Sequence, residues 1–239
     1  VITFDISQWR AWAPGLVTPA DWQGWAQGSR HSCSEAASPD VSFLPAMQRR
    51  RLSNLARMAF AVGWPLAEGY EALPLVFASR HGETPRTFAI LSDLADQQPL
   101  SPTQFSLSVH NAVIGLWSIL RGETSEMTAI AAAGDGLEQG LLEAAALLAE
   151  GAPAVLLIIC EELPPAVYDA WVDDVPFAYA LGLLVTPGQQ WQLSPGPAAT
   201  QSLPPALPHA LNWLQATLSG VNCFTHTWKR RSWTWQRQP

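Results

Sequence analysis

Residues 154–160 read Ala-Val-Leu-Leu-Ile-Ile-Cys, seven apolar positions in a row between Pro153 and Glu161. The run is far shorter than the roughly 20 residues a membrane-spanning helix needs. It also lacks the alternation of a strand with one wet face, so it predicts a central strand covered on both sides in a layered α/β fold. The preceding sequence agrees. Leu137, Leu141, Ala144, Ala145 and Leu148 form a helical stripe after the turn Gly134-Asp-Gly136, and Asp135 with Glu138 has the form of a helix-start capping box. Before the turn, Thr128-Ala-Ile-Ala-Ala-Ala is a short strand of small residues that lets another backbone approach closely. Residues 101–162 therefore run helix, strand, tight turn, helix, strand. Many α/β proteins gather reactive side chains and backbone amides at such a turn. This one carries no nucleophile.

The other elements are read from the same periodicities. Residues 1–7 alternate and predict an opening strand, and residues 13–39, rich in Pro, Gly, Ser and Trp, a structured loop with short helical pieces. From Pro45 onward Leu52, Leu55, Ala59 and Val62 recur at helical spacing. Arg49, Arg50, Arg51 and Arg57 crowd the first turns, either as a solvated face or as a contact for an acidic partner. Residues 73–79 predict a strand, and residues 84–96 a helix with Thr84 as candidate N-cap and Pro85 at its first position. Val109, Ala112, Val113, Leu116, Trp117 and Leu120 stripe a helix over residues 109–120, and Ile114 and Ile119 make its other side apolar, which predicts burial all round. His110 and Asn111 sit at its start. Residues 175–185 and 190–193 predict two more strands and residues 205–218 a last helix. One domain over residues 1–220, followed by a basic, aromatic tail over 221–239, accounts for the chain.

Charged residues make up 14% of the 239, against about 25% in ordinary soluble domains. So sparse a polar surface predicts an obligate partner that covers apolar area. The net charge of −7 argues against non-specific nucleic-acid binding. The first twelve residues lack a signal peptide's basic start and apolar centre. Cys33, Cys160 and Cys223 are far apart with no CxxC, which predicts a reducing, cytoplasmic setting without disulfides.

No GxSxG elbow, HExxH, P-loop or EF-hand loop is present. His31, His81, His110, His209 and His226 have no ligand-like spacing, so neither a metal nor a cofactor is expected. Cys160 lies within the apolar run, where a thiol is inert. Gly134-Asp-Gly-Leu-Glu-Gln-Gly140 follows a strand and opens a helix as a dinucleotide site does, but its spacing is GxGxxxG and Asp135 would face the pyrophosphate. A nucleotide-binding or Cys160-dependent enzyme is the rival reading.

Asn111-Ala-x-x-Gly115-x-x-Ser118-Ile119 resembles the Asn-x-x-x-Gly-x-x-Ser-Ile helix of the β-ketoacyl synthases, which have the thiolase fold. Residues 127–136 stand where that family carries its catalytic Thr-Ala-Cys, and every position at which the cysteine could align, Ala131 to Gly134, is Ala or Gly. The family's HGT and HTxxTxxGD motifs are absent; His226 sits in Thr-His-Thr without the following Gly-Asp. Pro45-Ala-Met-Gln-Arg-Arg-Arg-Leu-Ser, Phe77-Ala-Ser-Arg-His-Gly and Ser101-Pro-Thr-x-Phe-Ser-Leu-Ser-Val-His-Asn-Ala are more specific. They resemble the short, single-half chain length factors of aryl polyene biosynthesis.

The resemblance implies half of a thiolase-like fold, layered as helix, mixed sheet, helix, without the C-terminal half of a ketosynthase. It implies a non-catalytic subunit that pairs with a full-length, cysteine-bearing β-ketoacyl synthase, through Thr128, Ala129, Ile130, Ala131, Ala132 and Ala133. Phe105, Val109, His110, Ala112, Leu116 and Trp117 would bound the partner's acyl pocket. The growing chain would arrive on an acidic acyl carrier protein, for which Arg49, Arg50, Arg51, Lys229, Arg230 and Arg231 are the basic candidates. A purely structural stabiliser of the ketosynthase is the remaining alternative. For His110 the residues alone also allow a satisfied buried histidine.

Overall fold

The computed structural model describes residues 1–33, 37–197 and 207–238. Its centre is the apolar run, strand β4 (Val155–Glu161), every residue of which is buried. Alternate side chains serve opposite faces. Val155, Leu157 and Ile159 join one apolar cluster, while Leu156, Ile158 and Cys160 join the other.

Strands β2 (Leu75–Ala78) and β3 (Met127–Ile130) run parallel to β4. The long β5 (Tyr179–Pro195) is antiparallel to it, and β1 (Ile2–Trp12) pairs with β5 through two register shifts. The seven-stranded sheet has the order β3-β2-β4-β5-β7-β6, with β1 paired to β5 off that path. The residues predicted as two strands, 175–185 and 190–193, thus belong to one strand that serves β4 with its first half and β7 with its second.

Helix α3 (Asn54–Leu66) and helix α6 (Ala112–Arg121) cover one face. Ser53 starts α3 by accepting the Ala56 N–H at 3.0 Å, which separates it from the single turn α2 (Ala46–Arg49). Gly63 lets Ile158 and the Trp117 ring press against the helix backbone. Helix α1 (Pro19–Ala26), helix α7 (Gly136–Ala149) and helix α8 (His209–Leu218) cover the other face, where Trp22, Trp191, Trp213 and Trp235 are fully buried. The predicted start of α8 at residues 205 and 206 lies outside the described residues.

Three expectations need correction. Helix α6 is not buried all round: Ala112, Val113, Leu116 and Trp117 face the core, but Ile119 is 75% exposed. The stripe was real, and its apolar back is surface. Helix α4 (Thr84–Ala95) starts at the residue expected to cap it, with Glu83 in the cap position, and the Thr84 hydroxyl instead donates to the His81 carbonyl. The tail is no tail. Residues 223–237 form a hairpin, β6 (Cys223–Trp228) and β7 (Arg231–Arg237), that extends the sheet from the second half of β5. Its Trp233 and Trp235 are core residues, which is why aromatics recur there.

A side chain at Gly63 would have to displace Ile158 and Trp117. Gly63→Leu should therefore destabilise the chain by about 1–3 kcal/mol, read from denaturant unfolding; an unchanged midpoint would contradict the packing described.

Candidate functional site

The turn between β3 and α7 is fixed by two carboxylates with no exposure at all, Asp135 and Glu138. Asp135 accepts from Arg231 Nε (2.6 Å) and Nη2 (2.7 Å) and from Trp233 Nε1 (3.1 Å). Glu138 accepts from His209 Nδ1 (2.8 Å), His226 Nδ1 (2.6 Å) and Trp235 Nε1 (3.0 Å). The expected capping box does not form, because the Asp135 side chain makes no cap bond to the helix it precedes. Asp135 instead holds β7, and Glu138 holds α8 and both strands of the β6–β7 hairpin.

Charge and burial divide the labour. Burial pushes Glu138 up, but the hydrogen bonds and charges of His209 and His226 outweigh it and bring the carboxyl down to about 2. His209 loses basicity by burial and regains more from Glu138, so it ends above its ordinary value. His226 ends below it, because burial and the neighbouring His209 charge win. The two rings stack with centroids 4.5 Å apart. Of the two rings, His209 is therefore the one that keeps its positive charge to higher pH beside the carboxylate. His226 Nδ1 carries the donated proton, and its buried Nε2 has no partner among the described residues. Glu138, His209 and His226 bring metal-type donors within 4.8 Å of one another. Sequence spacing gave no sign of this cluster, since its members come from three elements. The ring nitrogens that face Glu138 bond its oxygens.

Above the turn, the Trp228 ring lies in direct contact with Gly134, and the Arg80 guanidinium lies 5.2 Å from that ring's centre. Arg80 and His81 bind Asp174 at 2.6 and 3.1 Å. Ala133 and Gly134 line a cavity of about 320 Å³ together with Glu161, Tyr179 and Trp228. Burial pushes Glu161 up to about 7 against the hydrogen bonds it accepts from Arg80 N, His81 N and Ser79 Oγ. A dinucleotide finds no open glycine turn here, since Trp228 covers it. Cys160 is fully buried, near the Leu55 carbonyl, and burial raises its thiol far above the ordinary range.

The residues expected to bound an acyl pocket divide into two groups. Phe105, on the short helix α5 (Pro102–Ser106), and Val109 are 66% and 47% exposed, whereas Ala112, Leu116 and Trp117 are buried on α6. His110 lies between them and bonds the Ser79 carbonyl at 2.8 Å, with its ring against Phe77 and Gly82. Thr128, Ala129 and Ile130 lie in β3 at the end of the sheet, half-buried; Ala131, Ala132 and Ala133 continue beyond the strand. Of the basic candidates, Arg231 is committed to Asp135, and Arg49 donates to the Ser42 and Leu44 carbonyls at 3.2 and 2.8 Å.

The sequence profile described as "Beta-ketoacyl synthase, N-terminal domain" matches residues 22–236. The chain belongs to that family. A structure described as "Ketosynthase (ApeO) in Complex with its Chain Length Factor (ApeC) from Xenorhabdus doucetiae" contains a chain 31% identical to this one, with a TM-score of 0.89; the match covers 99% of this chain and 100% of that one. The ishigamide ketosynthase/chain length factor shares the fold at 16% identity and a TM-score of 0.63, covering 92% of this chain and 74% of that one. A chain of a type II acyl-carrier protein and ketosynthase complex, AntDE:AntF, does so at 9% identity and 0.69, covering 98% and 99%. The fold is thus the thiolase-like fold of ketosynthases. No curated protein sequence matches the chain. No helix among the described residues is long and apolar enough to cross a membrane.

Because Glu138 is held near 2, well below its ordinary 4.5, its stabilisation is complete above about 4.5 and is lost as pH falls from there toward about 2. Glu138→Gln leaves His209 and His226 without the carboxylate that both bond and should cost about 3–5 kcal/mol at pH 7. Urea unfolding of both forms across pH 2–7 measures this; a variant as stable as the parent at pH 7 would refute the assignment.

Proposed function

We propose that the chain is a chain length factor: a non-catalytic subunit that pairs with a full-length β-ketoacyl synthase and bounds its acyl pocket in aryl polyene synthesis. The observation that carries this reading is the end-to-end match, at 31% identity, to a chain of the ApeO and ApeC complex. Ala133 and Gly134 at the turn, where the family's cysteine is expected, support a subunit without its own nucleophile.

The surface fits an obligate partner. Strand β3 ends the sheet with a half-buried face, and Phe105, Val109 and Ile119 are large apolar side chains left in water. A partner that pairs with β3 would cover them at a gain of about 25 cal/mol per Å² of apolar area. Product length then follows from sterics, because one more carbon must fit the shared cavity or clash with its wall. Arg50, Arg51, Lys229 and Arg230 remain available to an acidic acyl carrier protein, which Arg49 and Arg231 do not. The three free cysteines suit a reducing cytoplasm.

Co-expression with the neighbouring full-length ketosynthase should give a stable one-to-one complex by light scattering, with condensing activity that needs the partner's cysteine and this chain. Val109→Trp should leave the complex intact and shorten the polyene by one or more extension cycles, read by mass spectrometry. A monodisperse chain that ignores the ketosynthase sinks the proposal. Unchanged product length, with the partner insoluble in this chain's absence, would reduce it to a structural stabiliser.

A further inference from the structure

Helix α4 carries apolar side chains into water. None of its twelve residues is buried, and Leu91 and Leu94, which share a face with Thr87 and Ala95, are each more than half exposed. Leu100, in the connection to α5, is exposed as well. An amphipathic helix normally turns its apolar stripe to the core. Here the ties to the rest of the chain gather in the first turns instead. The Arg86 guanidinium donates to Gln104 at 2.8 Å, the Thr87 hydroxyl donates to the Ser108 carbonyl at 3.3 Å, and the Phe88 ring meets Tyr168 edge-on with centroids 5.9 Å apart. The half that carries Leu91 and Leu94 is left uncovered.

Tyr168 brings a second apolar segment alongside. It lies in the connection between β4 and β5, next to the exposed Val167 and three residues before Trp171, which is 73% exposed. Thr87, Ser108, His110, Tyr168 and Val172 line a groove of about 410 Å³ between this connection and α4. Single apolar residues are ordinary on a surface, whereas a contiguous set flanking a groove marks an interaction site, and tryptophan is among the side chains most enriched where binding energy concentrates.

Two occupants follow from the function proposed above, a ketosynthase and an acidic acyl carrier protein, and charge separates them. Asp93, Asp96, Asp169 and Asp173 are exposed on these two segments, while Arg86 is bonded to Glu83 and Gln104. Such a rim repels an acidic carrier protein. Area points the same way. A stable pair takes roughly 20–30 residues a side, and the four-residue β3 with Phe105, Val109 and Ile119 falls well short of that. The missing area is adjacent, since α4 is bonded to α5 and Ser108 and His110, on either side of Val109, line the groove. We infer that α4 and the β4–β5 connection form a second contact surface for the full-length ketosynthase, continuous with Phe105 and Val109 and anchored by Leu91, Leu94 and Trp171. The inference rests on the pairing proposed above and adds the elements that make it stable. The facing surface of the ketosynthase is then apolar with a basic rim.

The double variant Leu91→Glu, Leu94→Glu and the single variant Trp171→Ala change exposed side chains, so the chain alone should keep the parent's unfolding midpoint. Affinity for the full-length ketosynthase, measured by calorimetric titration, should fall about tenfold or more in each. Val17→Glu, which charges an exposed apolar residue just before α1, should leave it unchanged. A parent chain that does not bind the ketosynthase overturns the proposed function, and this inference with it. A parent that binds, with either test variant binding as tightly, overturns this inference alone and leaves the pairing to β3. Variants that lose self-association or carrier-protein binding while keeping the ketosynthase also overturn it, by giving the surface to another occupant.

Discussion

Two carboxylates one helical turn apart, Asp135 and Glu138, hold the molecule's C-terminal third against its sheet. Neither touches water, and each is tied to residues that arrive late in the chain: Arg231 and Trp233 for the first, His209, His226 and Trp235 for the second. Their cost of burial is high and is offset only while every partner is in place. Helix α7 is consequently covered by α8 and the β6–β7 hairpin, with Trp213 and Trp235 filling the space between. A helix whose stripe includes Leu137, Leu141 and Ala144 thereby finds its second wall within the same chain.

The sequence shows some of this and conceals the rest, for physical reasons. Seven unbroken apolar residues could hardly be anything but a strand buried on both faces, and β4 is that strand. The helical stripes of α3, α6 and α7 were equally legible. Asp135 and Glu138 were visible too, but in the wrong role. Their spacing of three is that of a capping box, and only the approach of Arg231 and two histidines from distant elements turns them into buried countercharges. His226 drew notice as a histidine without a motif. His209 gave no local signal at all, since a cluster built from α7, α8 and β6 leaves no spacing to read. The 221–239 segment reads as a tail because of its basic run Lys229-Arg-Arg231 among aromatic residues, although the alternation Trp233-Thr-Trp235 is also what a hairpin with one core face requires.

The position of the apolar surface connects fold to function. Charged residues are few, and the exposed Phe105, Val109 and Ile119 lie on the segments that precede and form α6, while β3 ends the sheet. The turn at Gly134 follows that strand, with Trp228 against it. On the function proposed above, the chain's contribution to a condensing enzyme is geometric, a wall with a fixed position, and the carboxylate ties of α7 are what fix it.

Hydrogen–deuterium exchange of the chain, alone and with its full-length ketosynthase, tests this account most directly. Pairing through the sheet end predicts strong new protection of Met127–Ile130 and of residues 101–112, with the already locked hairpin of residues 223–237 unchanged. Unaltered exchange in β3 with protection confined to the hairpin or to α8 would contradict it.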